Sequence, residues 1–547
     1  MSINSIYIKN FKCFEGEFIL PLDKGINILV GDNEAGKSTI IQAIELALNG
    51  YYQGKPIKAE LSQYLFNYNV VRDYLESLTN GNKQAPPSIV IEIYFDEEIQ
   101  PSFKGNNNYK EDDYCGVKFE IAFDERFNEE YVSLLNNGLK SLPLEYYEVK
   151  WTAFSRDHIL PKHIPLKSTI IDSSNLRTKN NNDLLLSRIL KDSMRDEDII
   201  ALMQAYRKLQ DSFAGDTTVK PICENFKIDT LGFGEITLGI NLSSRTQWED
   251  YVTPYVNDIP FTYIGTGEQA IIKTHLSLSN KKANQASIIL IEEPENHLSH
   301  SKLSHLLYEI KTKCSNKQIL VTTHSSFVAN KLGLKSLILL SNRNIVKLNE
   351  LTQDTAEYFE KLPGFDTLRI LLCKSSILVE GPSDELVVQK LYMTINGRLP
   401  IEDGIEVISV NNLSFKRFLE IGTKLLLRMA VITDNDGSIE SLQEKYSEYL
   451  ECPNIIICYD HNVDERNEVN GKRFNFNTLE PVLLRYNSLE ILNSVFGTNY
   501  SQESELLKYM HNNKVDCALK IFHYSGDEIA FPDYLRNAIK HCQTDEK

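Results

Sequence analysis

The sequence lacks the features that mark membrane, secreted and zinc-binding proteins. Among its 547 residues no apolar run approaches the ~18 residues that a membrane helix needs, so we expect no membrane partner. The start has no charged and apolar segments followed by a cleavage site, which predicts a cytoplasmic location. Nine cysteines occur without a Cys-x-x-Cys pair, which favours reduced thiols over disulfides or a zinc site.

An excess of basic residues is also missing. The formal net charge is −17 at pH 7, whereas proteins that coat nucleic acid present a basic surface. The charge therefore argues against broad nucleic-acid binding and is compatible with a partner or an assembly that supplies basic surface. It leaves room for a local site, because bound metal ions offset the charge of clustered carboxylates.

What the sequence does contain is a long alternation of strands and helices. Its length predicts about three domains of roughly 100 to 200 residues each. Apolar runs at 26–30, 288–291 and 318–322 alternate with helical patterns, which predicts an α/β fold. The apolar spacing between Asp183 and Phe213 is helical, so we expect a helical insertion that divides the first domain.

A phosphate-binding loop lies near the start of the chain. The letters GDNEAGKS from Gly31 to Ser38 fit the pattern G-x-x-x-x-G-K-[ST], between a predicted strand and a predicted helix. In such a loop backbone N–H groups surround phosphate oxygens, Lys37 reaches the outer phosphates of ATP, and Ser38 binds Mg²⁺. The predicted nucleotide-binding residues are Asn33, Glu34, Ala35, Gly36, Lys37, Ser38 and Thr39.

Two acids follow a later buried strand. Glu292 and Glu293 end the run IILIEE, a position where carboxylates bind Mg²⁺ and orient the attacking water in ATP hydrolysis. We assign Glu292 to the metal ion and Glu293, as a catalytic residue, to the water. Taken alone, two acids after a strand are as typical of a simple turn, but the phosphate loop favours the functional interpretation.

Further acids cluster late in the chain. The apolar strand at 376–379 leads into Glu380, and the strand at 429–433 leads into Asp434 and Asp436. These acids lie at one edge of a sheet if both strands belong to the same parallel sheet. Crowded carboxylates repel one another unless cations neutralise them, and their hard oxygens suit Mg²⁺ or Mn²⁺. Two ions about 4 Å apart would activate water against a phosphodiester.

Each part of this cluster also has a simpler interpretation. The letters DNDG from Asp434 form a good turn, and the segment from Pro382 to Asp384 forms a good helix start. The combination of both on strand ends favours a metal site, with Asp384 as a further candidate ligand.

The first half of the chain resembles the ABC-type ATPases of the RecF and SMC class. The letters IKNFK from Ile8 resemble their first-strand motif, 265–269 their signature loop, 296–298 their D-loop and His324 their switch histidine. The resemblance implies that two heads of a homodimer or higher homo-oligomer meet across nucleotide. It adds Gly267, Glu268, Gln269 and His324 to the nucleotide-binding residues, and Gln63, as a Q-loop residue, to the metal ligands.

The second half resembles the TOPRIM domain of topoisomerases, primases and certain nucleases, which implies a Rossmann-like fold. Carried over to this sequence, Glu380 is the general acid/base or a metal ligand, and Asp434 and Asp436 are metal ligands. Late residues complete such sites in related nucleases. Here Glu480 is the best match for a ligand of a second metal ion, and Lys514 for a cation that stabilises the transition state.

An ABC-type ATPase followed by a TOPRIM domain resembles the OLD (overcoming lysogenization defect) family, which includes the Gabija nuclease and retron-associated effectors. The resemblance implies an ATPase domain over 1–360, with a helical dimerisation insertion at about 155–245, and a TOPRIM nuclease domain over 370–547. It also implies an ATP-regulated, metal-dependent DNA endonuclease in anti-phage defence. A retron reverse transcriptase with its RNA/DNA product, or a helicase, is the partner that the family suggests.

Two other functions stay open at this point. The chain could be a non-cleaving DNA-repair clamp or sensor, in which ATP drives assembly and the TOPRIM fold is only a scaffold. A topoisomerase or primase would share the TOPRIM residues, although the sequence shows neither a strand-transfer tyrosine domain nor a template site.

Overall fold

The fold is given by a computed structural model, and the chain separates into two compact units. The first unit comprises Met1–His324 and Leu340–Arg343, and the second comprises Ser325–Leu339 and Asn344–Lys547. The structure describes residues 1–31, 34–79, 84–96, 101–135, 139–172, 194–225, 227–229, 235–237, 254–279, 286–313, 316–341, 344–349, 351–361, 367–410, 415–466, 468–469, 472–526 and 528–543.

The elements up to His324 form two sheets, three short hairpins and eight helices within the described residues. The strands are β1 Ile3–Lys9, β2 Glu17–Pro21, β3 Ile26–Gly31, β4 Tyr51–Tyr52, β5 Lys55–Pro56, β6 Ile89–Phe95, β7 Lys104–Gly105, β8 Tyr114–Phe123, β9 Tyr147–Ala153, β10 Ser168–Asp172, β11 Lys227–Asp229, β12 Glu235–Thr237, β13 Tyr255–Val256, β14 Ile259–Pro260, β15 Ile288–Glu292 and β16 Gln318–Thr322. The helices are α1 Lys37–Asn49, α2 Ile57–Glu60, α3 Tyr68–Thr79, α4 Asn128–Leu135, α5 Asp196–Ala214, α6 Val219–Asn225, α7 Thr266–Ser279 and α8 His300–Lys313.

From Ser325 onwards the chain continues with eight described strands and eleven described helices. The strands are β17 Leu337–Ser341, β18 Asn344–Lys347, β19 Ser375–Val379, β20 Ile405–Ser409, β21 Arg428–Ile432, β22 Ile455–Cys458, β23 Glu468–Val469 and β24 Lys472–Arg473. The helices are α9 Ser326–Leu332, α10 Gln353–Lys361, α11 Thr367–Leu372, α12 Pro382–Asn396, α13 Phe415–Lys424, α14 Ile439–Lys445, α15 Leu479–Tyr486, α16 Leu489–Phe496, α17 Glu503–Asn512, α18 Lys514–His523 and α19 Asp533–Cys542.

An antiparallel sheet forms one layer of the first unit. Its order is β2-β1-β6-β8-β7, and β9 also pairs with β8. All seven side chains of β6 are buried, because the run IVIEIYF places β-branched and aromatic residues on both faces. The alternation of strands and helices did not predict this separate sheet.

A parallel sheet forms the second layer, in the order β10-β15-β16-β3. Its register aligns Glu292 with Thr322, and Thr322 with Leu29, so the carboxyl ends of β15, β16 and β3 lie side by side. Helix α1 contacts strands of both sheets, and the Trp151 indole donates to the Ala47 carbonyl over 3.1 Å. The phosphate loop and the two acids after β15 therefore meet at one edge.

The second unit contains a four-stranded parallel sheet in the order β20-β19-β21-β22. All five residues of β19 are buried, and α12 and α19 pack on the sheet over a core that includes Ile377, Val387, Leu391 and Ile539. Leu378 pairs with Val431, so β19 and β21 end at the same edge. Helix α12 begins with Pro382 at its first turn, as the sequence predicted.

The division into units differs from the predicted boundary between 360 and 370. Helix α10 packs on α13, where the Glu420 carboxylate accepts hydrogen bonds from the Thr352 backbone N–H, over 2.5 Å, and from the Thr352 and Thr355 hydroxyls. The rings of Phe359 and Phe418 meet edge to face at 5.1 Å. These contacts attach the segment before residue 361 to the second unit, a tertiary effect that local sequence patterns do not encode.

Several local predictions can be compared with the described residues. Helix α1 ends at Asn49 with Gly50 in a left-handed conformation, as the stop signal predicted. Of the predicted insertion, α5 is a helix, whereas residues 173–193 lie outside the described residues. Seven cysteines within the described part are free thiols. In the same part, no helix combines the length and hydropathy needed to cross a membrane.

Candidate functional site

The phosphate loop of the first unit is shaped by two glycines. Gly36 precedes α1 with φ at 94°, and an added Cβ there would lie 2.6 Å from a ring carbon of Phe14. At Gly31 an added Cβ would lie 2.4 Å from the Leu340 carbonyl oxygen. Only glycine fits both positions, so the loop approaches its surroundings, and any bound phosphate, with bare backbone.

Lys37 lies at the first position of α1 and points back over the loop. Its Nζ donates to the Gly31 carbonyl over 2.8 Å, and the residue is 7% exposed. Glu34 and Ala35 precede it in the loop, and Ser38 and Thr39 follow it in the first turn of α1, where backbone N–H groups are suited to bind phosphate. The donor set suits a polyphosphate, whereas Asn33 lies outside the described residues.

The acids after β15 occupy the same edge as the loop. Glu292 is buried at the strand end, and Glu293 adopts a left-handed φ of 44° while its N–H donates to the Thr322 carbonyl over 3.0 Å. The Glu293 carboxylate accepts from the Asn296 amide over 2.6 Å, and its other oxygen lies 3.8 Å from His324 Nε2. The structure thus brings Glu293 and His324 together.

Glu295 is a residue of this edge that sequence reasoning missed. One of its oxygens accepts from the Thr323 hydroxyl over 2.7 Å and from the His324 backbone N–H over 2.8 Å. It therefore fixes the segment that carries His324. The letters EEPE contained a signal, because the third acid of the run also follows the strand end.

The signature-like loop packs against the D-loop-like segment. An added Cβ at Gly267 would lie 2.4 Å from the His297 carbonyl oxygen. Gln269 is buried and donates its amide to the carbonyls of Phe261 and Ile264, both over 3.0 Å. Its side chain anchors the loop in this chain, and Glu268 lies in the first turn of α7.

Gln63 lies away from these contacts. Its carbonyl accepts from the Leu142 N–H over 3.4 Å, and it lines a cavity of about 700 Å³ together with Lys12, Phe66 and Tyr68. Its assignment as a metal ligand stays a prediction.

The second candidate site lies at the carboxyl edge of the β19-β21 pair. Glu380 follows β19, and its Oε1 accepts from the Thr433 hydroxyl over 2.6 Å and from the Asp434 N–H over 2.9 Å. Asp384 accepts from the Gly381 N–H over 3.0 Å at the start of α12. Thr433, which sequence reasoning missed, orients Glu380 across the two strands.

Burial and the charges of neighbouring acids raise the pKa values of two carboxyl groups at this edge, Asp384 and Asp434. Burial is the main cause for Asp384, with Glu380 and Glu480 next, and together they raise its pKa to about 7. The pKa of Asp434 is also raised well above its usual value by burial and by the charges of Glu380, Asp384, Glu480 and Asp436. These five acids therefore share one electrostatic environment.

The late residues join this cluster from α15 and α18. Glu480 is 6% exposed, accepts from the Thr478 hydroxyl over 3.1 Å, and pairs with Lys514 Nζ at 3.1 Å. Lys514 also lowers the pKa of Asp384, which places its charge near the other acids. Helix packing brings these residues to the edge from 100 and 134 positions beyond Glu380.

Asp436 lies at the outer side of the cluster. It adopts a left-handed φ of 46° and accepts from the Asn475 amide over 2.8 Å. Within the part of the chain that the structure describes, no three of these acids bring one carboxylate oxygen each within 4.8 Å of one another. The hard oxygen donors fit divalent cations, and their spread suits ligands that are divided between two ions.

Comparison with known proteins assigns the two units. Residues 1–185 and 154–329 match the AAA ATPase domain family, and residues 371–436 match the overcoming lysogenization defect protein-like TOPRIM domain. The second match includes Glu380, Asp384, Asp434 and Asp436.

Curated relatives align with most of the chain. It is 23% identical over 482 residues to the OLD nuclease of Thermus scotoductus, which covers 82% of this chain and 84% of the relative. It is 22% identical over 592 aligned positions to the Old nuclease of Escherichia phage P2, covering 96% and 91%. An ATP/GTP phosphatase of Helicobacter pylori is 27% identical over 347 residues, covering 59% and 85%.

The domain matches agree with the two parallel sheets and with the order of the sites. They confirm the predicted α/β fold, with an ABC-type ATPase head before a TOPRIM domain. The chain therefore belongs to the OLD family.

Proposed function

We propose that this protein is an ATP-regulated DNA endonuclease that requires Mg²⁺ or Mn²⁺ and acts in anti-phage defence. The main observation that supports this proposal is the set of carboxylates at the β19-β21 edge. Burial and repulsion raise the pKa values of Asp384 and Asp434. A scaffold without bound cations would gain nothing from this costly arrangement, which functional sites retain for their chemistry.

The residues at the β19-β21 edge have different roles in the proposed hydrolysis of the phosphodiester. Glu380, held by Thr433 and the Asp434 N–H through one oxygen, keeps its other oxygen for a cation or a proton. Bound divalent cations would lower the pKa of an attacking water and offset the charge of the leaving oxygen. Asp434, Asp436, Asp384 and Glu480 are the remaining candidate ligands of these cations.

Lys514 supplies a positive side chain within this cluster. Its 3.1 Å pair with Glu480 fixes its Nζ beside the acids. Negative charge accumulates on the phosphate oxygens during attack, and a fixed cation stabilises it more than the ground state. We therefore assign Lys514 to transition-state stabilisation.

The first unit would bind ATP and Mg²⁺ through Lys37, Ser38 and Glu292, with Glu293 orienting the attacking water. Heads of a homodimer or higher homo-oligomer would meet across the nucleotide. Exposed apolar side chains on α5, namely Ile200, Leu209 and Phe213, support an assembly through the insertion. The net charge of −17 makes a basic partner, such as a retron reverse transcriptase with its RNA/DNA product or a helicase, a fitting source of DNA contacts.

A plasmid-nicking assay tests the nuclease assignment. Supercoiled DNA should be nicked or cut with Mg²⁺ or Mn²⁺ but not with EDTA, and Glu380→Ala should abolish cleavage. Glu385→Gln is the matched control, because Glu385 lies next to Asp384 on α12 but interacts with Arg369 and Gln389 instead. Cleavage that survives Glu380→Ala would overturn the assignment.

The same protein variants distinguish the nuclease from the alternative function, a non-cleaving clamp or sensor. Binding of DNA without a metal ion and without cleavage of any substrate would favour the clamp or sensor. The defence role is tested by plaque counts on bacteria that express either the natural chain or Glu380→Ala, where only the natural chain should reduce phage growth.

A further inference from the structure

Two helices of the first unit bring together three metal-binding side chains that belong to neither site described above. His275 lies on α7, and His305 and Glu309 lie one turn apart on α8. One ligand atom from each side chain lies within 4.8 Å of the other two. In the described part of the chain, this is the one such group of His, Cys, Asp and Glu residues.

The donor chemistry selects a class of metal ion. Two imidazole nitrogens and one carboxylate oxygen suit Zn²⁺ and neighbouring transition metals, whereas Mg²⁺ prefers oxygen ligands. His275 Nε2 lies 3.2 Å from Glu309 Oε2. This matches the edge of a tetrahedron around Zn²⁺, which is roughly 3.3 Å for bonds of about 2.0 to 2.1 Å.

An ion pair between His275 and Glu309 explains only part of the arrangement. It leaves the position of His305 unexplained, although this residue lies four positions before Glu309 and on the same helix face. Glu309 is largely buried, so its oxygens are held in place, whereas the exposed His305 ring can rotate toward them. Water would take the fourth position, as in other three-ligand zinc sites.

We propose that His275, His305 and Glu309 bind one Zn²⁺ ion that joins α7 to α8. This metal site is independent of the nuclease cluster and of the nucleotide loop. The two helices follow the signature-like and D-loop-like segments, which already touch where Gly267 approaches the His297 carbonyl. The ion would fix the helices behind these segments and so regulate ATP turnover, a consequence that rests on the proposed function of the first unit.

Zinc binding can be measured on the full-length protein. The protein is stripped with EDTA and dialysed against ZnCl₂ in the presence of excess Mg²⁺, and bound zinc is counted by mass spectrometry. We expect the natural chain to bind one equivalent more than His275→Ala/His305→Ala. His305→Ala alone keeps the ion pair of His275 with Glu309 and should weaken binding at least about tenfold. His300→Ala, on the same helix, is the matched control.

Two further readouts make the result decisive. Co²⁺ in the same site should give the visible absorption of a tetrahedral nitrogen and oxygen site, and Zn²⁺ should raise the melting temperature of the natural chain but not of the double variant. Equal zinc uptake by all four proteins would overturn the site. Stoichiometric binding without any change in ATP turnover would keep the site and overturn its regulatory role. A chain without ATPase activity would refute the proposed function alone.

Discussion

The two parallel sheets of this protein end in opposite charge patterns. At the edge shared by β3 and β15, Lys37 and the first-turn N–H groups of α1 suit an anion, and Glu292 and Glu293 lie at the end of β15. At the β19-β21 edge, five acids share one electrostatic environment, and Lys514 pairs with one of them, Glu480. The same edge geometry thus serves opposite ligands, because a polyphosphate brings negative charge to the first site and cations must bring positive charge to the second.

The comparison also explains which states are stable without ligand. In the first site Lys37 donates to the Gly31 carbonyl, so this lysine carries little electrostatic cost before a nucleotide binds. In the second site the acids repel one another, and the pKa values of the buried Asp384 and Asp434 rise. We therefore expect the second site to depend more strongly on its cations than the first site depends on its nucleotide.

The largest expected effect is on ATP hydrolysis, and it tests whether the nucleotide site and the nuclease site act separately. Lys37→Ala removes the cation of the phosphate loop and should lower ATP hydrolysis roughly 10²- to 10³-fold, since charge on the outer phosphates loses its stabilisation. Phosphate release measures this rate. Metal-dependent nicking by the same variant should persist with altered response to ATP. Lys55→Ala, on the exposed β5 strand, serves as the control. Loss of nicking in the absence of ATP would show that the sites are not separable.

The second effect concerns the lysine of the acidic edge. Lys514→Met should lower cleavage roughly 10²-fold while leaving ATP hydrolysis unchanged, because the fixed charge beside the acids is lost. Lys514→Arg should recover part of the rate. Lys508→Met, on the exposed face of α17, is the control. Unchanged cleavage by Lys514→Met would remove this residue from the chemistry and leave it as a structural partner of Glu480.

A third effect tests the electrostatics of the edge through pH. The raised pKa of Asp384, about 7 against a usual 3.8, means that the metal-free fold gains stability from the protonated group. This stability is fully present below the usual pKa and is lost as the pH rises toward 7. Cations replace the proton, so Mg²⁺ should raise the melting temperature more at high pH, by roughly 5 °C between about pH 5 and pH 8.

Calorimetry with and without Mg²⁺ provides this measurement. Asp384→Asn is the informative variant, because it removes the titrating group and retains an acceptor for the Gly381 N–H. The pH dependence of the metal effect should shrink in this variant. A metal effect that is equal at both pH values would contradict the electrostatic argument.

The smallest effect tests where the second unit begins. Glu420→Ala removes the acceptor for the Thr352 and Thr355 hydroxyls and should lower the free energy of unfolding by about 1 to 2 kcal/mol. Chemical denaturation measures this change. Glu440→Ala, an exposed acid on α14, should have no such effect. Equal stability of both variants would argue that α10 is not part of the second unit.

Local sequence patterns were sufficient to predict where the strands end and which candidate site residues follow them. The phosphate loop, the acids after β15, Glu380 and Asp434 each follow an apolar strand, and a parallel sheet brings such strand ends to one edge. Glu480 and Lys514 could be predicted from the sequence only through a family resemblance. No sequence pattern signalled Thr433, whose hydroxyl bonds Glu380 across two strands.

The sequence by itself determined the order of the domains, the α/β class and the two sets of strand-end residues, because these depend on local patterning and spacing. Only the tertiary structure decided the antiparallel sheet, the attachment of α10 to the second unit, the Lys514 to Glu480 pair and the meeting of His275 with His305 and Glu309. Each of these joins residues that are distant in sequence or on different helices. Their contact depends on how helix faces pack, which the packing of the whole core sets.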